Sequence, residues 1–237
     1  MANRIPKILN RHFLRDAFVK IGFETQASAN LVPGILYNRL QSSWAVQDKG
    51  LKALTALGID AAGSLSEITT LTSEGYRMDV LERRITFNIQ NDYPGWRTSY
   101  LPLLERTIPR LLEGNLMKIK WVGLRYINDL EGKDIFQVTD RFVTKPFLGY
   151  EPKGQAIRTS LIRDGVGIVL NVSNNVRTLN DDQYTSVVDV DLEHKFQDTV
   201  DSSEILQILD KLHILNKQLV FGEILPEEFV ADFGPTY

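Results

Sequence analysis

The chain has no cysteine among its 237 residues. That single absence excludes disulfides, thiolate zinc sites, iron–sulfur ligation and thiol nucleophiles. A reducing compartment is the simplest setting for it. Histidine is nearly as scarce, with three residues, His12, His194 and His213, and no His-x-x-x-His or similar zinc-ligand spacing. No run of about 18 apolar residues occurs, so no membrane-spanning helix is expected. Residues 1–7 lack the apolar core of a secretory leader. The expectation is therefore a cytoplasmic protein without a membrane anchor. An excess of positive charge is also missing. The net charge is −3, which disfavours binding by wholesale neutralisation of phosphates.

Phosphate-binding and nucleophile motifs are absent as well. Glu131-Gly-Lys-Asp134 lacks the upstream glycine and the following hydroxyl of a Walker loop. Gly165-Val-Gly167 is not completed to a dinucleotide fingerprint, and no Gly-x-Ser-x-Gly elbow occurs. No cofactor is expected from these patterns.

What is present is a globular composition, 43% hydrophobic and 24% charged, enough for a covered core and against wholesale disorder. Ala17, Val19, Ile21 and Phe23 alternate as in a half-buried strand. Val32, Leu36, Leu40 and Trp44 recur every fourth residue and predict a helix, with Ser28 or Asn30 as its cap and Pro33 in its first turn. Residues 46–75, with Gly50, Gly58, Gly63 and Gly75, predict a loop-rich connection with a short helix over Leu51–Leu57. Tyr76–Val80 and Ile85–Ile89 flank the polar Glu82-Arg-Arg84 and predict a hairpin.

The turn at residues 91–95 launches an amphipathic helix from Tyr100 to Leu112. Pro109 should kink or divide it, and Gly114-Asn115 should close it. Met117–Asn128 is apolar on both faces, as a central strand is. Residues 129–153 look like a connection. A second hairpin is expected over Ile157–Ile162 and Val166–Val172 around Arg163-Asp-Gly165. Turn-like stretches follow at 173–175 and 180–182, then a strand over Ser186–His194 and a helix over Ser202–Val220.

The fold predicted is α+β, a mostly antiparallel sheet covered by long helices. Hairpin, strand and helix recur in the same order in residues 10–130 and 153–237. We read these as two similar halves sharing one continuous sheet within a single domain, 1–237.

Three groups of residues invite a functional reading. Arg125 falls by alternation on the apolar face of Trp121 and Ile127. A guanidinium there needs acceptors, because stranding one partner of a buried pair costs about 3–5 kcal/mol. An internal ion pair with Asp189 or Asp191 is favoured over a ligand-anion site; Tyr126 and Asn128 are its neighbours in the same block. Asp189, Asp191 and Glu193 alternate on one strand face and would suit a divalent cation, but the favoured reading is a solvent face opposite Val188, Val190 and Leu192. Arg83, Arg84, Lys118 and Lys120, with Trp121 and Tyr126, would make a strip for single-stranded nucleic acid. Solvated lysines guarding a sheet edge are the preferred reading.

Three blocks carry a family resemblance: Tyr93-Pro-Gly-Trp96 with Tyr100; Val122-Gly-Leu-Arg-Tyr-Ile-Asn128; and Asp189-Val-Asp191 followed by Leu212-His213, Val220-Phe221 and Ile224. Over nearly its whole length the chain resembles a sporadTIGR family of uncharacterised prokaryotic proteins. The resemblance implies no catalytic residues. It does imply an accessory gene of the kind carried on mobile or defence islands. The function expected is a non-catalytic, protein-binding accessory subunit of a prokaryotic defence or toxin–antitoxin-like system, with a partner encoded nearby. A nucleic-acid-binding subunit is the alternative, and a metal-dependent enzyme at the acidic strand the third reading.

Overall fold

The computed structural model describes residues 4–9, 12–28, 31–53, 65–90, 93–142, 154–177 and 184–237. The strands in chain order are β1 (Ile8–Leu9), β2 (Leu14–Glu24), β3 (Ala45–Ala53), β4 (Leu65–Ser73), β5 (Tyr76–Val80), β6 (Arg84–Ile89), β7 (Lys118–Glu131), β8 (Ala156–Arg163), β9 (Val166–Arg177), β10 (Tyr184–Lys195) and β11 (Pro235–Thr236). The α-helices among the described residues are α1 (Val32–Leu40), α2 (Leu101–Leu112), α3 (Ile135–Val138), α4 (Ser202–Lys217) and α5 (Glu227–Ala231). The fold is α+β. Nine strands form a sheet in the order β3-β4-β5-β6-β2-β7-β10-β9-β8, and β1 pairs with β11. Every pairing with a resolved register is antiparallel. No described helix is long and apolar enough to cross a membrane.

The chain gathers into two compact units. One comprises Phe18–Gly123 and His194–Leu209; the other comprises Met1–Ala17, Leu124–Glu193 and Asp210–Tyr237.

In the first of these units, α1 buries Val32, Leu36 and Leu40 at the predicted spacing. Its start differs from expectation. No side chain caps it, and the Ser28 backbone carbonyl instead accepts from the N–H groups of Leu31 and Val32. The β5–β6 hairpin matches its prediction, with Val80 opposite Ile85 and Tyr76 opposite Ile89. A π-helical turn, Trp96–Tyr100, leads into α2, and the Tyr100 N–H reaches back to the Gly95 carbonyl. Tyr100 is fully buried. Its hydroxyl donates to the Phe87 carbonyl at 2.9 Å and accepts from the Val19 N–H at 3.1 Å. Burial pushes the phenol well above its usual pKa.

Several expectations are corrected here. Residues 46–53 and 65–73 are strands rather than loop and helix, so Leu51–Ala53 belong to β3; residues 54–57 of the expected helix lie outside the described residues. Pro109 does not divide α2, which runs through it. The lost bond falls at the Glu105 carbonyl, and both residues sit on the exposed side of the helix, where that carbonyl need not be buried without a donor. β2 is buried on both faces, Phe18 as well as Val19 and Ile21, rather than half-buried. Closure of α2 by Gly114-Asn115 holds, both residues having positive φ.

In the other unit, Asp164-Gly165 makes the two-residue β8–β9 turn with positive φ at both positions, as a type I′ hairpin requires. Ser173-Asn-Asn175 continues β9 instead of turning; residues 180–182 lie outside the described residues. Phe13 packs on Phe221, Phe229 and Phe233, with ring centroids 5.8, 6.5 and 5.0 Å away. Asp129 accepts from the Arg15 guanidinium at 3.1 Å. Burial raises its pKa while Arg15 pulls it back.

Candidate functional site

The site is built from one row of side chains across four strands of the second unit. The two-residue turn at Asp164-Gly165 fixes the β8–β9 register, and that register sets Arg158 opposite Asn171. Asn171 Nδ2 donates to Asp189 Oδ2 at 3.0 Å. Asp189 in turn takes a bidentate pair from Arg125, Nε to Oδ1 and Nη2 to Oδ2, both at 2.8 Å. The side chains of Arg125 and Asp189 retain only 15% and 8% of their exposure. The fork-to-fork geometry is the strongest pairing available to these two groups. It stands in a place where breaking it would leave a charge nearly desolvated.

The buried carboxylate corrects the expectation of a solvent face. Asp189 is 6% exposed, although its neighbours Val188, Val190 and Leu192 do pack inward as alternation requires. The described residues hold no group of three His, Asp or Glu side chains placed to share a metal ion, Asp189, Asp191 and Glu193 included. A carboxylate that already accepts three donors is committed to fixing β7, β9 and β10 in register. It is not a base open to a substrate proton.

The other face of β7 carries Tyr126 and Asn128. Tyr126 Oη lies 2.9 Å from His213 Nδ1, and the rings meet edge to face with centroids 5.9 Å apart. This gives His213 the hydrogen-bonded packing place its helical position suggested. Asn128, also buried, donates to the Val188 carbonyl at 3.1 Å. The Arg-Tyr-Ile-Asn block thus ties β7 to β10 through Arg125 and Asn128, and to α4 through Tyr126.

The basic residues are not gathered into one strip. Arg84 stands opposite Gly22 on β2, and the Trp121 indole covers Gly22 on that face. Two of the Arg84 guanidinium nitrogens are buried there. Alternation turns Lys118 and Lys120 to the side of β7 opposite Trp121. Lys120 lies 3.7 Å from Glu24, and Arg83, 76% exposed, lies 3.9 Å from Glu82.

Sequence reasoning missed Asn171 and Arg158. The signal was available: once Asp164-Gly165 is read as a two-residue turn, counting back along both strands pairs 158 with 171. It also missed the character of β8. This strand ends the sheet order, is exposed along most of its length, and presents Leu161 at 42% and Ile162 at 81% exposure. No protein-family model matches the chain, and no curated protein matches it.

Proposed function

We propose that this chain is a non-catalytic accessory subunit that receives an extended segment of a partner protein along β8. The observation that carries this reading is the contrast between the two ends of the sheet. An edge strand is a template for another chain unless charge, proline or a bulge guards it. β3, at one end, carries a bulge between Val46 and Asp48. β8, at the other, pairs with β9 over all eight residues without a break in register. It has no lysine or proline and exposes Leu161 and Ile162; its charged residues are the exposed Arg158 and the terminal Arg163, which Glu223 holds at 2.6 Å. Strand addition along such an edge supplies backbone hydrogen bonds, and alternate side chains supply selectivity. The interlocked Arg125–Asp189–Asn171 row stiffens the strands behind it. The resemblance to a sporadically distributed prokaryotic family fits a component of a defence or toxin–antitoxin-like system, with its partner encoded nearby.

The test places a photo-crosslinking residue at Thr159 and expresses the chain in its native host. One protein adduct is expected, stoichiometric on purification and lost in Leu161→Lys/Ile162→Lys at unchanged melting temperature. Recovery of nucleic acid alone, in a salt-sensitive manner, would refute this reading in favour of a nucleic-acid subunit.

A further inference from the structure

A cleft of about 360 Å³ opens in the unit of residues 18–123 and 194–209. It lies between the turn after α1, the β4–β5 turn and one face of α2. Its volume is in the range of small-molecule sites. Arg106 and Arg110 line it from α2. Four residues apart, they stand one above the other on the same helix face. Arg110 donates to Ser42 Oγ at 2.7 Å and lies 3.5 Å from Ser43 Oγ. Arg106 is exposed and has no hydrogen-bonding partner among the described residues. Trp44, also lining the cleft, is 2% exposed, and its buried indole N–H has no acceptor. An unmet buried donor costs about 1–3 kcal/mol. At the end of α1 the Leu40 carbonyl accepts the N–H groups of Ser43 and Trp44 at 2.8 and 2.9 Å. Against two guanidiniums the lining holds one carboxylate, Glu74.

From this arrangement we infer that the cleft binds a small phosphate-bearing molecule, with its phosphate oxygens between Arg106 and Arg110 and beside the Ser42 and Ser43 hydroxyls. Guanidinium forks match phosphate and carboxylate alike. The donors here converge from two elements, the α2 face and the turn after α1. That suits three tetrahedrally disposed oxygens better than the two oxygens of a planar carboxylate. The inference is independent of the β8 partner, since none of these residues belongs to that strand.

Inorganic phosphate is the first probe, titrated into ¹⁵N-labelled protein against sodium chloride of equal ionic strength. Sodium acetate and a nucleoside 5′-monophosphate form the other arms. Saturable shifts are expected for residues 41–45, 72–74 and 106–110 with phosphate and the monophosphate, and not with chloride or acetate. Tighter binding of the monophosphate than of free phosphate would identify an ester as the occupant; the reverse would identify the free ion. Arg106→Gln, at an exposed position, should keep the melting temperature and weaken phosphate at least tenfold, while leaving crosslinking at Thr159 intact. Non-saturable shifts, equal response to acetate, or unchanged affinity in Arg106→Gln would each overturn the inference.

Discussion

Arg125 is the residue on which the β7–β10 pairing can be tested most sharply. Its guanidinium and the Asp189 carboxylate are nearly desolvated and meet through two bonds of 2.8 Å. Arg125→Met removes one partner and strands the other, and should cost about 3 kcal/mol of stability, measured by urea unfolding. Asp189→Leu alone should cost a similar amount. The double variant should recover much of the loss, because two apolar groups replace both charges at once. A fully additive cycle would show that the pair contributes nothing as a pair. Arg125→Lys should rescue poorly, since an ammonium lacks the planar fork. Here the sequence was informative, because alternation alone sets Arg125 on the face of Trp121 and calls for a carboxylate. The burial of Asp189 was not visible, because an Asp-x-Asp-x-Glu alternation reads the same on a solvated face as on one filled by a neighbour's arginine.

At the scale of elements, legibility followed how local the stabilising contacts are. The hairpins at 76–89 and 156–177 and the helices α1, α2 and α4 could be read because turn chemistry and periodicity are written within each. β3 and β4 could not. Ala45–Ala53 is poor in β-branched residues, and its strand character comes from eight cross-strand partners in β4, supplied over a distance the pattern does not encode. Two local devices can be checked. Gly95 opens the π-turn at φ 101 and ψ 150, a region open essentially to glycine alone. A methyl there would also meet Thr98 Oγ1 at 2.7 Å. Gly95→Ala should therefore cost about 1–3 kcal/mol by chemical denaturation, with the buried Trp96 and Tyr100 displaced. An unchanged midpoint would show that the turn is not held as described.

Asp201 caps α4, and the Glu204 N–H followed by the Ser203 hydroxyl holds its carboxylate below its ordinary pKa of 3.8. A depressed folded value means the cap stabilises fully above the ordinary pKa and is lost as pH falls through the lower folded one. The melting-temperature gap between the parent chain and Asp201→Ala should thus be constant near neutrality and close only in acid. A gap that instead closes above pH 5 would rule out Asp201 as the titrating cap.

At the scale of the whole molecule, the sheet order β3-β4-β5-β6-β2-β7-β10-β9-β8 contains steps that no local pattern announces. β2 lies between β6 and β7, and β10 follows β7. Which strands became the two edges was accordingly illegible, and the proposed docking along β8 rests on that order. The bulge at β3 sets two residues, 46 and 48, against the adjacent partners 71 and 70, leaving Gln47 as the extra residue. A bulge of this kind breaks the ladder and increases the local twist, which discourages docking of a further strand. Deleting Gln47 would restore an unbroken β3–β4 ladder without moving any other residue to the opposite face. The deletion variant should therefore form larger species with rising concentration by size exclusion with light scattering, relative to the parent chain. Leu161→Lys/Ile162→Lys, applied to the β8 edge of the same variant, should not reverse that association. If those β8 substitutions abolish it, the new contact runs through β8 rather than β3. If the deletion variant stays as monodisperse as the parent, the bulge is not what guards that edge.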